Sequence, residues 1–179
     1  MSLKEITKDL HTEAEKTTFA KNLLKGNLSQ DEYVNYLYQM LAIYDPIEFS
    51  AREQGFLKNL SGIERLGKIY QDFQELRDPN KLYTLTTGTI DYHNYLIKLG
   101  NDPERRHLIK AHMYVRHMGD LFGGQYIAKS VPGEGRFYQF DDVEVLKSSI
   151  RAELTDDLGE ESRIAFIWAI LIMKELGGE

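Results

Sequence analysis

Helix-start signals recur along this chain so often that they leave little room for strands. Ser2-Leu3-Lys4-Glu5, Ser29-Gln30-Asp31-Glu32 and Ser61-Gly62-Ile63-Glu64 each have the spacing in which a hydroxyl and a carboxylate satisfy free backbone amides at a helix start. Asp102-Pro103 places a capping residue directly before proline at a first helical position. Apolar residues between these signals repeat with helical period, and no strand pattern competes. The spacing predicts helices over 2–18, 29–53, 62–77, 85–99, 102–130, 141–156 and 160–176. A loop over 131–140 is marked by Pro132, Gly133 and Gly135. With 179 residues, no Pro/Gly/Ser-rich linker and no internal repeat, the expected architecture is all-α: one irregular helical bundle over residues 1–179.

Within that bundle, Val34, Leu37, Leu41, Tyr44 and Phe49 form an apolar stripe on the second helix, and Pro46 is expected to kink it about one turn earlier. The last helix is the most apolar, with Ile164, Ile167, Trp168, Leu171 and Leu176, and is expected at the centre. Its apolar run from Ile164 to Met173 has about half the roughly 18 residues of a membrane span. No basic-then-apolar leader opens the sequence. The absence of cysteine excludes disulfides, thiolate metal sites and a cysteine nucleophile. A formal charge of −6 argues against general nucleic-acid binding. Together these features suggest a soluble, cytoplasmic protein that engages neither membrane nor nucleic acid.

Chemistry concentrates where Gly119, Gly123 and Gly124 fall within six residues of an otherwise helical stretch, His112 to Gln125. Each glycine costs about 1 kcal/mol against alanine inside a helix. Bare backbone at Gly119 and Gly123, spaced i, i+4 and flanked by Arg116 and Asp120, would admit something flat. The alternative is that Gly119-Asp120-Leu121-Phe122-Gly123-Gly124 ends a helix in a loop. Among five histidines, His11 stands out because Glu15 lies one turn later, where a carboxylate could orient the imidazole and leave Nε2 for a metal. His93 and His107 read as structural or surface residues. A di-iron centre would need two Glu-x-x-His repeats, and only Glu104-Arg105-Arg106-His107 has that spacing. Arg105, Arg106, Lys110 and Arg116 form a locally basic run, either a solvated face or a docking surface for an acidic electron donor. Lys147 and Arg151, spaced i, i+4, could together with Lys4 hold the carboxylates of an anionic ligand.

Two segments carry a family resemblance. Leu10-His11-Thr12-Glu13-Ala14-Glu15, followed about 100 residues later by His112-Met113-Tyr114-Val115-Arg116-His117-Met118-Gly119-Asp120-Leu121-Phe122-Gly123-Gly124-Gln125, resembles heme oxygenase. The resemblance covers essentially the whole chain. It implies His11 as the axial ligand of heme iron with Glu15 near its other nitrogen, and heme lying between this helix and a glycine-rich distal helix containing Gly119, Gly123 and Gly124. It implies that Asp120 acts through ordered water, with Tyr114 and Arg116 in the same network. Lys147, Arg151 and Lys4 would pair with the propionates, and Phe166 would form part of the pocket wall.

The implied reaction cleaves heme to biliverdin, CO and ferrous iron. O₂ is the co-substrate, and electrons come from ferredoxin or an NADPH-dependent reductase; a bilin reductase could act downstream. Two positions depart from the family pattern. Phe122 stands where a small residue, often serine, is usual, and His117 where tyrosine is usual, which leaves open a narrowed pocket, a second ligand or altered proton delivery. Within that resemblance the chain is expected to be of the bacterial, plastid or viral type, without the membrane tail of animal members. The alternatives are a heme carrier or sensor without turnover, and a di-iron oxidase on the same scaffold. Thiaminase-like chemistry on that scaffold would need the cysteine this chain lacks.

Overall fold

The structure, a computed structural model, describes residues 2–179. Its eight α-helices among the described residues are α1 (Leu3–Lys16), α2 (Thr18–Lys25), α3 (Gln30–Glu53), α4 (Leu66–Leu76), α5 (Thr87–Asn101), α6 (Ile109–Ile127), α7 (Val143–Ala152) and α8 (Gly159–Gly177). No strand occurs among these residues. The capping boxes at Ser2 and Ser29 form, with Glu5 and Glu32 bonding back to the cap backbone.

The third box does not form, because α4 begins later, at Leu66, and Glu48 of α3 caps it from across the fold. The Glu48 carboxylate accepts from the backbone amides of Arg65 (2.5 Å) and Leu66 (3.1 Å), while Glu64 pairs with Arg52. Asp102 likewise caps only a short turn, accepting from Glu104 N and Arg105 N, and α6 starts seven residues downstream of it at Ile109. The expected first helix divides at Thr17, whose extended backbone ends α1 and whose hydroxyl accepts from Ala20 N to start α2. Residues 131–140 contain a 3-10 turn, Arg136–Tyr138, with Phe137 and Tyr138 buried.

Helix α3 runs through Pro46 without interruption. Proline has no N–H for the Ala42 carbonyl. His93 of α5 supplies the missing donor, with Nδ1 2.6 Å from that oxygen, so its structural role is the repair of the Pro46 gap. The apolar stripe on α3 is buried at Val34, Leu37 and Tyr44, but Phe49 is exposed. On α8 the buried face is Ala165, Phe166, Ala169, Ile170 and Ile172, whereas Ile167 and Leu171 face solvent. Its small residues allow close approach, and α1, α2, α5 and α6 all pack on it. Helix α3 packs on α4, α5 and α6. Helices α1 and α6 both lean on α8 but scarcely touch each other, which opens a slot between them.

Candidate functional site

The slot is a cavity of about 1010 Å³. Its α1 wall presents Lys4, His11 and Glu15, its α6 wall Tyr114, Arg116, Gly119, Asp120, Phe122 and Gly123, and its base Phe166, Ala169 and Met173 of α8. Leu10 and Ala14 of α1 pack with Phe166 and Ile170, which fixes the α1 wall on α8. His11 stacks edge-on to Phe166 at 5.8 Å, and its Nδ1 lies 3.7 Å from Glu15 Oε1. That separation is too long for a hydrogen bond.

The glycines do not end the helix, since α6 continues to Ile127 and none of the three adopts positive φ. They serve two faces. A Cβ added to Gly119 would meet no atom within 4 Å, and one on Gly123 would meet only Ile127 Cδ1 at 3.4 Å, so both present bare backbone to the cavity. Gly124 faces away from it. A Cβ there would lie 3.0 Å from the Tyr138 carbonyl and 3.2 Å from Tyr138 Cβ, so Gly124 is where the 131–140 segment packs onto α6.

Polar chemistry gathers at one end of the slot. Asp120 is buried, and its Oδ2 accepts from Tyr44 OH at 2.5 Å. Burial pushes its carboxyl up to about 6, against the opposing pull of the Tyr44 hydrogen bond and of His117, Arg116 and Arg65. Tyr36 and Tyr138, 3.1 Å apart through their hydroxyls, also line the cavity. Burial holds the Tyr36 phenol at about 12 and those of Tyr44 and Tyr138 well above their ordinary value, so these hydroxyls are neutral at ordinary pH. Arg116 is buried with Nε and Nη2 unpartnered, its guanidinium 5.5 Å from the Tyr92 ring centre. Such donors call for a ligand or ordered water. The sequence places Tyr44 on an apolar stripe as core and Tyr138 in a loop, and gives no indication that Tyr36 reaches the same cavity. Their signal is that a buried phenol needs a partner.

The sign of the Asp120 shift makes a prediction. A carboxyl raised from 3.8 to about 6 disfavours its ionised form in the fold, so its stability contribution is complete below about pH 4 and is lost as pH rises through about 6. Asp120→Asn keeps an acceptor for Tyr44 and removes that cost. It is expected to stabilise the ligand-free protein by up to about 3 kcal/mol at pH 8 and by little at pH 4, measured by denaturant titration at both values.

Other residues singled out by sequence lie elsewhere. His117 does not line the cavity; it is fully buried, with Nε2 2.9 Å from Glu48 Oε1, which removes it as a second ligand in this arrangement. Glu104 and His107 are surface residues, and His107 lies 3.7 Å from Asp157. No group of three metal-ligating side chains exists among the described residues, so the di-iron alternative lacks a donor set. The basic run disperses, with Arg105 paired to Glu161, Lys110 to Glu153, and Arg116 buried. On α7, Arg151 lines the cavity, whereas Lys147 does not and pairs with Glu144.

A family model described as heme oxygenase matches residues 1–162, which include both walls of the slot. The chain belongs to the heme oxygenase family. Heme oxygenase 1 of Bos taurus is 28% identical over 99% of this chain and 71% of its own length. The heme oxygenase of Porphyra purpurea is also 28% identical, over 85% of this chain and 71% of its own. Among solved structures, the heme oxygenase of Leptospira interrogans superposes with a TM-score of 0.83 at 26% identity, covering 98% of this chain and all of that one. Heme oxygenase-1 of the cyanobacterium Synechocystis, solved in complex with heme, also gives 0.83, at 23% identity, covering 98% of this chain and 90% of that one. The all-helical heme oxygenase fold is therefore the fold of this chain. No described helix is long and apolar enough to cross a membrane.

Proposed function

We propose that the chain binds heme in the α1/α6 slot and cleaves it with O₂ and electrons to biliverdin, CO and ferrous iron. The observation that carries this reading is the bare backbone of Gly119 and Gly123 facing His11 across a cavity of about 1010 Å³. A flat, largely apolar dianion needs an apolar slot, an axial nitrogen on one side, no side chains on the other and cations at the rim. The residues present fit each requirement: His11, the two glycines, Phe166 and Met173 in the wall, and Lys4 and Arg151 at the rim. When bound, heme supplies the iron at which O₂ is activated and is itself the molecule oxidised.

The protein's residues then have distinct tasks. His11 would hold the heme iron through a ring nitrogen, with Glu15 one turn away beside its Nδ1. Asp120, able to hold a proton near neutral pH, would organise water on the α6 side of the slot, with its carboxylate fixed by Tyr44. The unpartnered Arg116 donors and Tyr114 extend that polar network, and Gly119 and Gly123 let it approach without steric interference. Electrons come from a separate donor of the ferredoxin or NADPH-dependent reductase class.

The test is His11→Ala. His11 is well exposed and makes no core contact beyond the edge of Phe166, so the fold is expected to persist. The variant is expected to lose the axial-histidine signature of the ferric heme spectrum and to form biliverdin at least about 100-fold more slowly, with recovery on addition of imidazole. Undiminished biliverdin formation without imidazole would overturn the assignment.

A further inference from the structure

Phe122 sits on the cavity face of α6 and is about half exposed, an unusual position for a large aromatic ring. Both cations of α7 lie over it, with Lys147 Nζ 4.2 Å and Arg151 Cζ 5.6 Å from the ring centre. Their situations otherwise differ. Lys147 keeps only 13% of its side chain exposed, bonds Glu144 Oε1 at 3.0 Å, and lies outside the cavity lining. Arg151 is exposed, lines the cavity and makes no ion pair among the described residues.

We infer that Phe122 assigns the two cations different tasks: together with Glu144 it retains Lys147 outside the slot, leaving Arg151 as the α7 residue that anchors the anionic edge of the ligand. This inference rests on the heme reading above. To reach a carboxylate in the slot, Lys147 must surrender both the ring and Glu144, which costs about three- to tenfold in affinity, as much as an exposed ammonium–carboxylate contact returns. Arg151 surrenders only its more distant ring contact. Its planar fork can also grip both oxygens of one carboxylate. A small side chain at position 122 would remove the retaining surface and return Lys147 to the rim. Phe122 is thus the residue that determines which α7 cation is available to the ligand's carboxylates.

The experiment measures affinity by Soret titration of the native chain and its variants with ferric protoporphyrin IX and with its dimethyl ester, which has no carboxylates. Arg151→Gln is expected to weaken ferric protoporphyrin IX about tenfold and the ester by less than twofold. Lys147→Ala is expected to change both by less than about twofold. In a Phe122→Ser background, Lys147→Ala should become costly, weakening ferric protoporphyrin IX about three- to tenfold. Equal losses from Lys147→Ala and Arg151→Gln in the native sequence would overturn the proposal, as would a Lys147 effect indifferent to residue 122. A native chain that forms no saturable complex with either porphyrin would instead sink the heme reading on which it stands.

Discussion

Asp120→Asn is expected to leave a folded protein that binds heme normally but forms biliverdin about 100-fold more slowly or worse. Among the described residues lining the slot, Asp120 is the carboxylate that is buried; Glu15 and Asp156 are exposed. Its burial raises the carboxyl to about 6, so near neutral pH it can both hold and release a proton, and Tyr44 fixes where that proton sits. Asparagine retains the shape and the acceptor for Tyr44 but transfers no proton, which separates chemistry from architecture. Heme affinity within a few-fold of the parent, together with collapsed product formation, is the expected pair of readings. Unchanged product formation would remove Asp120 from the mechanism.

Gly119→Leu is expected to weaken heme binding about 10- to 100-fold while leaving the ligand-free fold at least as stable as the parent. Space decides the outcome, because a Cβ at Gly119 meets nothing within 4 Å in the ligand-free chain, and replacing a helical glycine returns about 1 kcal/mol of helix propensity. The isobutyl group would then occupy the layer where the macrocycle should lie. Gly124→Ala provides the contrast, since its Cβ would press on the Tyr138 carbonyl at 3.0 Å. It is expected to destabilise the fold by about 1 to 2 kcal/mol with little direct effect on heme affinity. Thermal unfolding and heme titration on both variants read the two effects. Loss of stability at Gly119 with intact binding would show that this glycine serves packing and not a ligand.

The helical class and the boundaries of α3 and α8 to within a residue or so were legible because each rests on local signals, whereas setting His11 opposite the glycine-rich helix came from the family resemblance. Capping boxes at Ser2 and Ser29 need only neighbours in sequence. The start of α4 was not legible, because its cap is the Glu48 carboxylate from another helix and the Ser61 box has no helix to cap. The break at Thr17 does have a local signal: a threonine cap on one side of α2 and Gly26 in the left-handed region on the other. The helical period across 2–18 masked it. In the site, the i, i+4 spacing already paired Gly119 with Gly123 as one bare face, but it could not show what Gly124 packs against. Gly123 and Gly124 are adjacent yet point to opposite environments, and only the placement of Tyr138 distinguishes them. Of the basic run, Arg105 and Arg106 are exposed as a solvated face requires, but the partners of Arg105 and Lys110, Glu161 and Glu153, lie 56 and 43 residues away and were not legible locally.

Uptake and destruction of heme in this slot can be followed in one experiment. The most direct test is anaerobic titration of the native chain with ferric heme, followed by addition of air and an electron donor with quantitative product analysis. The expected result is saturation at one heme per chain, then loss of the Soret band with biliverdin, CO and iron released in equal amounts. A saturable complex whose Soret band persists through repeated reduction in air would contradict it and identify a heme carrier.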